Sequence, residues 1–251
     1  MSADITLMSY ESLRDDFLAR TGNSVSAINT ASWLGNAYKS CWELCKGKSW
    51  MWSWALQTGA LTVTNGVIAL SSIAYGRWYS IWSADPRIPG ANSAYPVPTI
   101  DDASGIYPQT SGLSSVFGFW LPVVPEFSST AVAVTTDYAT NAIVIDPSSR
   151  TGGTGDCYRC ITGYTTPATD NLLTTDLANP VKWQLQKVYK NFQSATAQMA
   201  QAIFLRSIAN YEQADKMESL GREDLDEEFR AVHPRGPVAV PPVWMGIGAW
   251  R

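Results

Sequence analysis

Four cysteines, one histidine and two carboxylate groupings are the side chains through which this 251-residue chain could do chemistry. Cys41 and Cys45, with Cys157 and Cys160, could in principle make one four-thiolate zinc site. The spacing argues against it. Cys41 and Cys45 share a face of a predicted helix, whereas Cys157-Tyr-Arg-Cys160 lies in a strand-like run whose odd separation sends the two side chains to opposite faces. The expectation is four reduced thiols behaving as small apolar groups, with no metal. The only histidine, His233, sits in a Pro- and Gly-rich tail, a poor base for a Ser-His or Cys-His dyad. Asp101-Asp102 falls in a Pro/Gly/Ser-rich stretch, and the run Glu223 to Glu228 reads as a solvated helix face. A hydrolase built on either is therefore the weakest reading. Phosphate-cradling, dinucleotide, His-Glu-x-x-His and Gly-x-Ser-x-Gly patterns are all missing, so neither catalysis nor a cofactor is expected.

Composition points the same way. The chain is 45% apolar and 16% charged, with material for a sizeable core, so disorder throughout is excluded. Eighteen basic against twenty-two acidic side chains leave a net charge of −4, the wrong sign for gripping nucleic acid through its phosphates. Eleven Trp, eleven Tyr and seven Phe beside one His favour contact over chemistry. The N-terminus lacks a basic stretch followed by an apolar run, and the most apolar windows, 50–61 and 116–124, are shorter than the ~18 residues a membrane span needs. A soluble protein without a membrane partner is expected.

Residues 61–180 carry four basic and nine acidic groups and are rich in Thr, Gly, Pro and Val, while both flanks are nearly neutral and helix-like. The pattern predicts an α+β fold, in which N- and C-terminal helices form a bundle or hairpin around a large inserted antiparallel β domain. The expected boundaries are helices over 1–59, the β insertion over 60–187, helices over 188–231 and an extended arm over 232–251. A first helix runs from Ser9 to Arg20 with Leu13, Phe17 and Leu18 as its apolar stripe, and a second from Ser24 to Lys46 with Val25, Ile28, Trp33, Ala37, Cys41, Leu44 and Cys45 broadly along one side. Trp50, Trp52 and Trp54 alternate as on one face of an extended segment. Asn65-Gly66 supplies the turn of a hairpin, residues 86–115 read as a long surface loop, and short strand signals recur to Gln186. A last helix is expected to begin near Val188 to Asn191 and to continue to about Ser219, interrupted at Gly221 before a short charged helix.

Past that helix the prolines at 234, 237, 241 and 242 forbid continuation, yet Val243, Trp244, Met245, Ile247 and Trp250 follow. A stiff segment bearing large apolar residues suits docking on another chain. Pro241, Pro242, Val243, Trp244, Met245, Ile247 and Trp250 are the candidate partner-binding residues.

The order of helices, Trp-rich junction, β insertion, long helix and extended C-terminal arm resembles the head-to-tail adaptor (neck, or connector) proteins of tailed bacteriophages. The likeness spans most of the chain at the level of pattern. It implies a structural protein, made in the host cytoplasm and placed in the virion neck between capsid and tail. There it would form a homo-oligomeric, twelve-membered ring beneath the portal. The arm over Pro241 to Trp250 would reach into the portal protein, tail or nozzle proteins would bind below, and DNA would pass through without specific binding. The β insertion exceeds what a minimal adaptor needs. Within it, Gly155-Asp-Cys-Tyr-Arg-Cys-Ile-Thr162 followed by Asn179-Pro-Val-Lys-Trp183 resembles small chitin-binding carbohydrate modules. That likeness makes Tyr158 and Trp183 candidate sugar-stacking residues and a carbohydrate-binding module the alternative reading.

Overall fold

The computed structural model describes residues 7–45, 57–69, 75–88, 94–101 and 105–232. In chain order the strands are β1 Leu7–Met8, β2 Gln57–Thr62, β3 Ile68–Ala69, β4 Tyr75–Trp82, β5 Thr99–Asp101, β6 Gly105–Pro108, β7 Ser115–Pro122, β8 Asp137–Tyr138, β9 Ile143–Asp146, β10 Asp156–Cys160, β11 Tyr164–Thr165, β12 Trp183–Leu185 and β13 Val188–Tyr189. The helices are α1 Tyr10–Arg20, α2 Ala27–Cys45, α3 Asp170–Leu177, α4 Gln193–Ser207 and α5 Tyr211–Val232. Helices and separate antiparallel sheets make the fold α+β.

Two compact units divide the chain, one from residues up to 45 together with 125–232, the other within 46–124. In the first, Ser9 caps α1 by accepting the Ser12 N–H at 3.2 Å, and Tyr10, Leu13 and Phe17 recur at helical spacing on its buried face. Helix α2 buries Leu34, Ala37, Tyr38, Cys41, Trp42 and Cys45, and α4 buries Ala195, Thr196, Met199 and Ala202. The two helices run antiparallel. Trp33 lies 6.1 Å from Phe204 near one end, and Tyr38 lies 5.3 Å from Phe192 toward the other. Phe127 fills the gap between α1 and α2, stacked on Tyr10 at 4.8 Å and edge-on to Tyr38 at 5.6 Å. Helix α5 lies along α4 at close range, since a Cβ on Gly221 would stand 3.0 Å from Met199 Cγ and 3.1 Å from the Ala195 carbonyl oxygen.

The same unit holds a small β module. Strand β10 is central to β12-β10-β9, β11 pairs with β8, and α3 covers them with Leu173 and Leu177. Strand β1 pairs with β13, and the Glu11 N–H donates to the Gly155 carbonyl at 2.9 Å, which fastens this module to α1. The second unit has two sheets, β2-β7-β4 and β3-β6-β5, with Leu61, Ile68, Ile81, Val97, Ile106 and Val116 as a shared core.

Several boundaries differ from the sequence reading. The β insertion expected over 60–187 is split, because residues 125–187 pack with the helices through the β1–β13 and Glu11–Gly155 links. The segment expected as the loop 86–115 contains β5 and β6, and a helix, α3, stands where only strands were expected. The last helix, expected to begin between Val188 and Asn191, starts at the later end of that span. Val188 pairs in β13, and a turn of 3-10 helix leads into α4 at Gln193. The break falls at Ala209, with φ of 60°, while Gly221 is an interior residue of α5 whose missing side chain admits α4. The Trp50 to Trp54 junction and the arm over 233–251 lie outside the described residues.

Candidate functional site

Trp183 and Tyr158, the two candidate sugar-stacking residues, are core residues at 2% and 8% exposure. Trp183 stands in β12 because β12 closes the sheet beside β10, and its ring lies edge-on to Tyr138 at 5.5 Å and to Tyr164 at 5.8 Å. Its Nε1 donates to the Tyr164 hydroxyl, which donates to Asp176. Lys182 Nζ lies 2.6 Å from Asp176 Oδ1 and 4.6 Å from the centre of the Tyr164 ring. Burial alone would raise the Asp176 carboxyl, but the hydrogen bonds from Lys182 and Tyr164 outweigh it and hold the group below its ordinary value. A stacking platform needs an exposed ring face, and both candidates belong instead to the core cluster of the β module.

The cysteines are buried in separate places. Cys41 Sγ is 3.4 Å from Met199 Sδ in the helical core, and Cys160 Sγ donates to the Thr162 carbonyl at 3.2 Å in the β module. Cys157, on the opposite face of β10 from Tyr158 and Cys160, turns to α1. Burial pushes the Cys41 and Cys157 thiols up to about 12, so neither is a thiolate near neutral pH. Among the described residues no group of three or more His, Cys, Asp or Glu side chains could hold a metal ion. No helix among them is long and apolar enough to cross a membrane.

The carboxylates on α5 divide by role. Asp224 accepts from Ser194 Oγ at 2.6 Å and from Gln198 Nε2 at 2.7 Å, tying α5 to α4, while Glu223, Asp226, Glu227 and Glu228 are exposed. Glu228 also borders a surface cleft of about 420 Å³ with Asp16, Arg20, Lys190, Gln193 and Ser194. Its polar lining, drawn from α1, the start of α4 and the end of α5, left no sequence signal because its members are scattered along the chain. Asp101 stands in β5, and Asp102, His233 and the arm residues Pro241, Pro242, Val243, Trp244, Met245, Ile247 and Trp250 lie outside the described residues.

Asp156 marks the joint between the β module and α1. Its carboxylate accepts the Tyr10 N–H at the start of α1, yet burial, then the charges of Asp146 and Glu11, raise its pKa above the ordinary carboxyl value. The folded state therefore holds this proton to higher pH than the unfolded chain does. Stability falls as pH rises through the interval between the ordinary and the raised value, and the deficit persists at neutral pH. Asp156→Asn, which keeps an acceptor, is expected to raise the urea midpoint at pH 7 and to match the parent at pH 3. An equal midpoint at pH 7 would contradict this assignment.

No family model, curated protein or solved structure matches this chain.

Proposed function

We propose that this chain is a non-enzymatic virion structural protein, a head-to-tail adaptor that forms a ring beneath the portal of a tailed bacteriophage and links it to the tail. The observation that carries the reading is the way the helical unit is assembled. Helices from both ends of the chain, α1 and α2 with α4 and α5, pack as one body, and the residues of the second β unit, 46–124, interrupt that body in sequence. The chain then continues from the last helix into an arm of prolines and large apolar residues. Such a body can supply ring contacts while the arm supplies a separate anchor, a division of labour suited to a connector. The acidity of residues 61–180, nine acidic against four basic side chains, supports passage of DNA without capture, since like charge repels phosphates. Burial of Tyr158 and Trp183 leaves the carbohydrate reading without its stacking platform.

Removal of residues 240–251 tests the arm. The truncated protein is expected to keep the parent's urea midpoint and lose attachment to a portal ring in a sedimentation assay. Undiminished attachment would remove the arm from the mechanism.

A further inference from the structure

We infer that β2 is a self-association edge: two copies of this chain join by antiparallel pairing of β2 with β2 about a twofold axis at Ala60, making one continuous sheet of two β2-β7-β4 sheets. Strand β2 is the outer strand of its sheet, and its register with β7 is unbroken from Gln57 opposite Trp120 to Thr62 opposite Ser115. The Val63 N–H donates to the Ser114 carbonyl at 3.0 Å. Antiparallel alternation from that pair turns the N–H and C=O groups of Leu61 and Gly59 to β7, and those of Thr62, Ala60 and Thr58 outward. The outward groups have no hydrogen-bond partner among the described residues, and Ala60 and Thr62 are exposed. The opposite edge of the sheet is closed, because outside β4 the Ser83 N–H donates to the Tyr95 carbonyl at 3.0 Å and the Val97 N–H to the Ile81 carbonyl at 2.8 Å.

Charge and register identify the occupant. Edge strands are ordinarily kept apart by lysines, prolines, inward-pointing charges or bulges. Gln57-Thr-Gly-Ala-Leu-Thr62 has no charge and no proline, and its unbroken register has no bulge. A second copy brings the same vacant groups at the same spacing, and a contact between like surfaces without charge meets no like-charge repulsion. With Ala60 of one copy opposite Ala60 of the other, Thr58 falls opposite Thr62 on both sides of the axis, and every outward N–H meets an outward C=O. Threonine faces threonine across the strands, a favourable pair. On the other face of the sheet Leu61 falls opposite Gly59, which has no side chain to compete with it. The inference goes beyond the adaptor reading and does not rest on it, since a twofold contact closes on two copies whereas a ring needs a contact that repeats. The tests below contain no portal, so their failure would leave the adaptor reading standing.

Ala60→Pro removes the N–H at the axis and none that β7 uses, a change an edge strand tolerates. Sedimentation velocity of the full-length protein over a range of concentrations is expected to show the parent pairing and this variant associating at least about tenfold more weakly. A parent that does not associate, or a variant that associates as the parent does, would overturn the inference. Charge gives a second readout that does not depend on proline. Ala60→Lys and Ala60→Glu each set like charges face to face and should each weaken association, while an equal mixture of the two restores it as a mixed dimer. A mixture no tighter than its components would count equally against the pairing. Ala60→Cys, oxidised, is expected to form a disulfide-linked dimer, since opposed residues of such a pair stand about 5.5 Å apart at Cα and the four native cysteines are buried. A protein that stays monomeric on a non-reducing denaturing gel would contradict the register.

Discussion

Trp183→Ala is expected to cost about 3–5 kcal/mol of stability, a large part of the 5–15 kcal/mol typical of a whole domain. The indole is 2% exposed and packs with Val132, Val144, Tyr158, Cys160, Leu173 and Leu177, so its removal leaves a cavity bounded by β10, β12 and α3. It also deprives the Tyr164 hydroxyl of the Nε1 donor while that hydroxyl still serves Asp176. Trp183→Phe keeps most of the volume and loses only the donor, and should cost less than the alanine variant. Urea midpoints for both variants check the order. A loss below about 1 kcal/mol for alanine would mean the ring is not buried. One consequence concerns sugar binding: loss of glycan capture in Trp183→Ala would report unfolding of the module rather than removal of a platform.

Asp146→Ala should be nearly as damaging. Asp146 and Arg150 are 1% and 8% exposed at the side chain, with Arg150 Nε 2.7 Å from Asp146 Oδ1. Arg150 Nη1 further donates to the Asp170 carbonyl at 2.9 Å and to Thr174 Oγ1 at 3.0 Å, and the Thr154 N–H donates to Asp146 Oδ2 at 3.0 Å. The pair therefore pins the turn between β9 and β10 to the start of α3. Removing one partner strands a buried charge, for which about 3–5 kcal/mol is typical. The double variant Asp146→Asn, Arg150→Met leaves no unpaired charge and should lose less than the two single changes added together. Denaturant melts of the singles and the double make the comparison, and simple additivity would contradict a coupled pair.

Local signals in the sequence translated well where the local code was sufficient. Ser9 with Leu13 and Phe17 placed α1 to within a residue, and Ala37, Cys41 and Cys45 lie on the buried face of α2, whereas Ile28 and Leu44, expected on that same side, are exposed. Asn65-Gly66 makes its expected turn, with φ of 52° and 78°. The hairpin ends there, however: Thr64 and Val67 form one bridge, after which β2 pairs with β7 and β3 with β6. Partners so distant in sequence were not legible from the residues around the turn. Helix α3 was hidden by its length of eight residues and by Thr174 and Thr175, which have low helix propensity, between Pro167 and Pro180. The turn at Ala209 has neither Gly nor Pro, so the obvious breaker, Gly221, drew the boundary instead. Gly221 answers to helix packing, a tertiary demand that periodicity does not encode.

The candidate site divides similarly. Its arm rests on the sequence alone, on large apolar residues set among prolines, and lies outside the described residues. The burial of Tyr158 and Trp183 follows from the β12-β10-β9 sheet and the covering helix α3, neither of which a motif of about thirty residues specifies.

Mass photometry of the full-length chain, alone and mixed with a portal ring, tests the adaptor reading most directly. The account predicts a large homo-oligomer, or a portal ring whose mass rises by a whole number of subunits. A chain that stays monomeric and leaves the mass of the portal unchanged would contradict it.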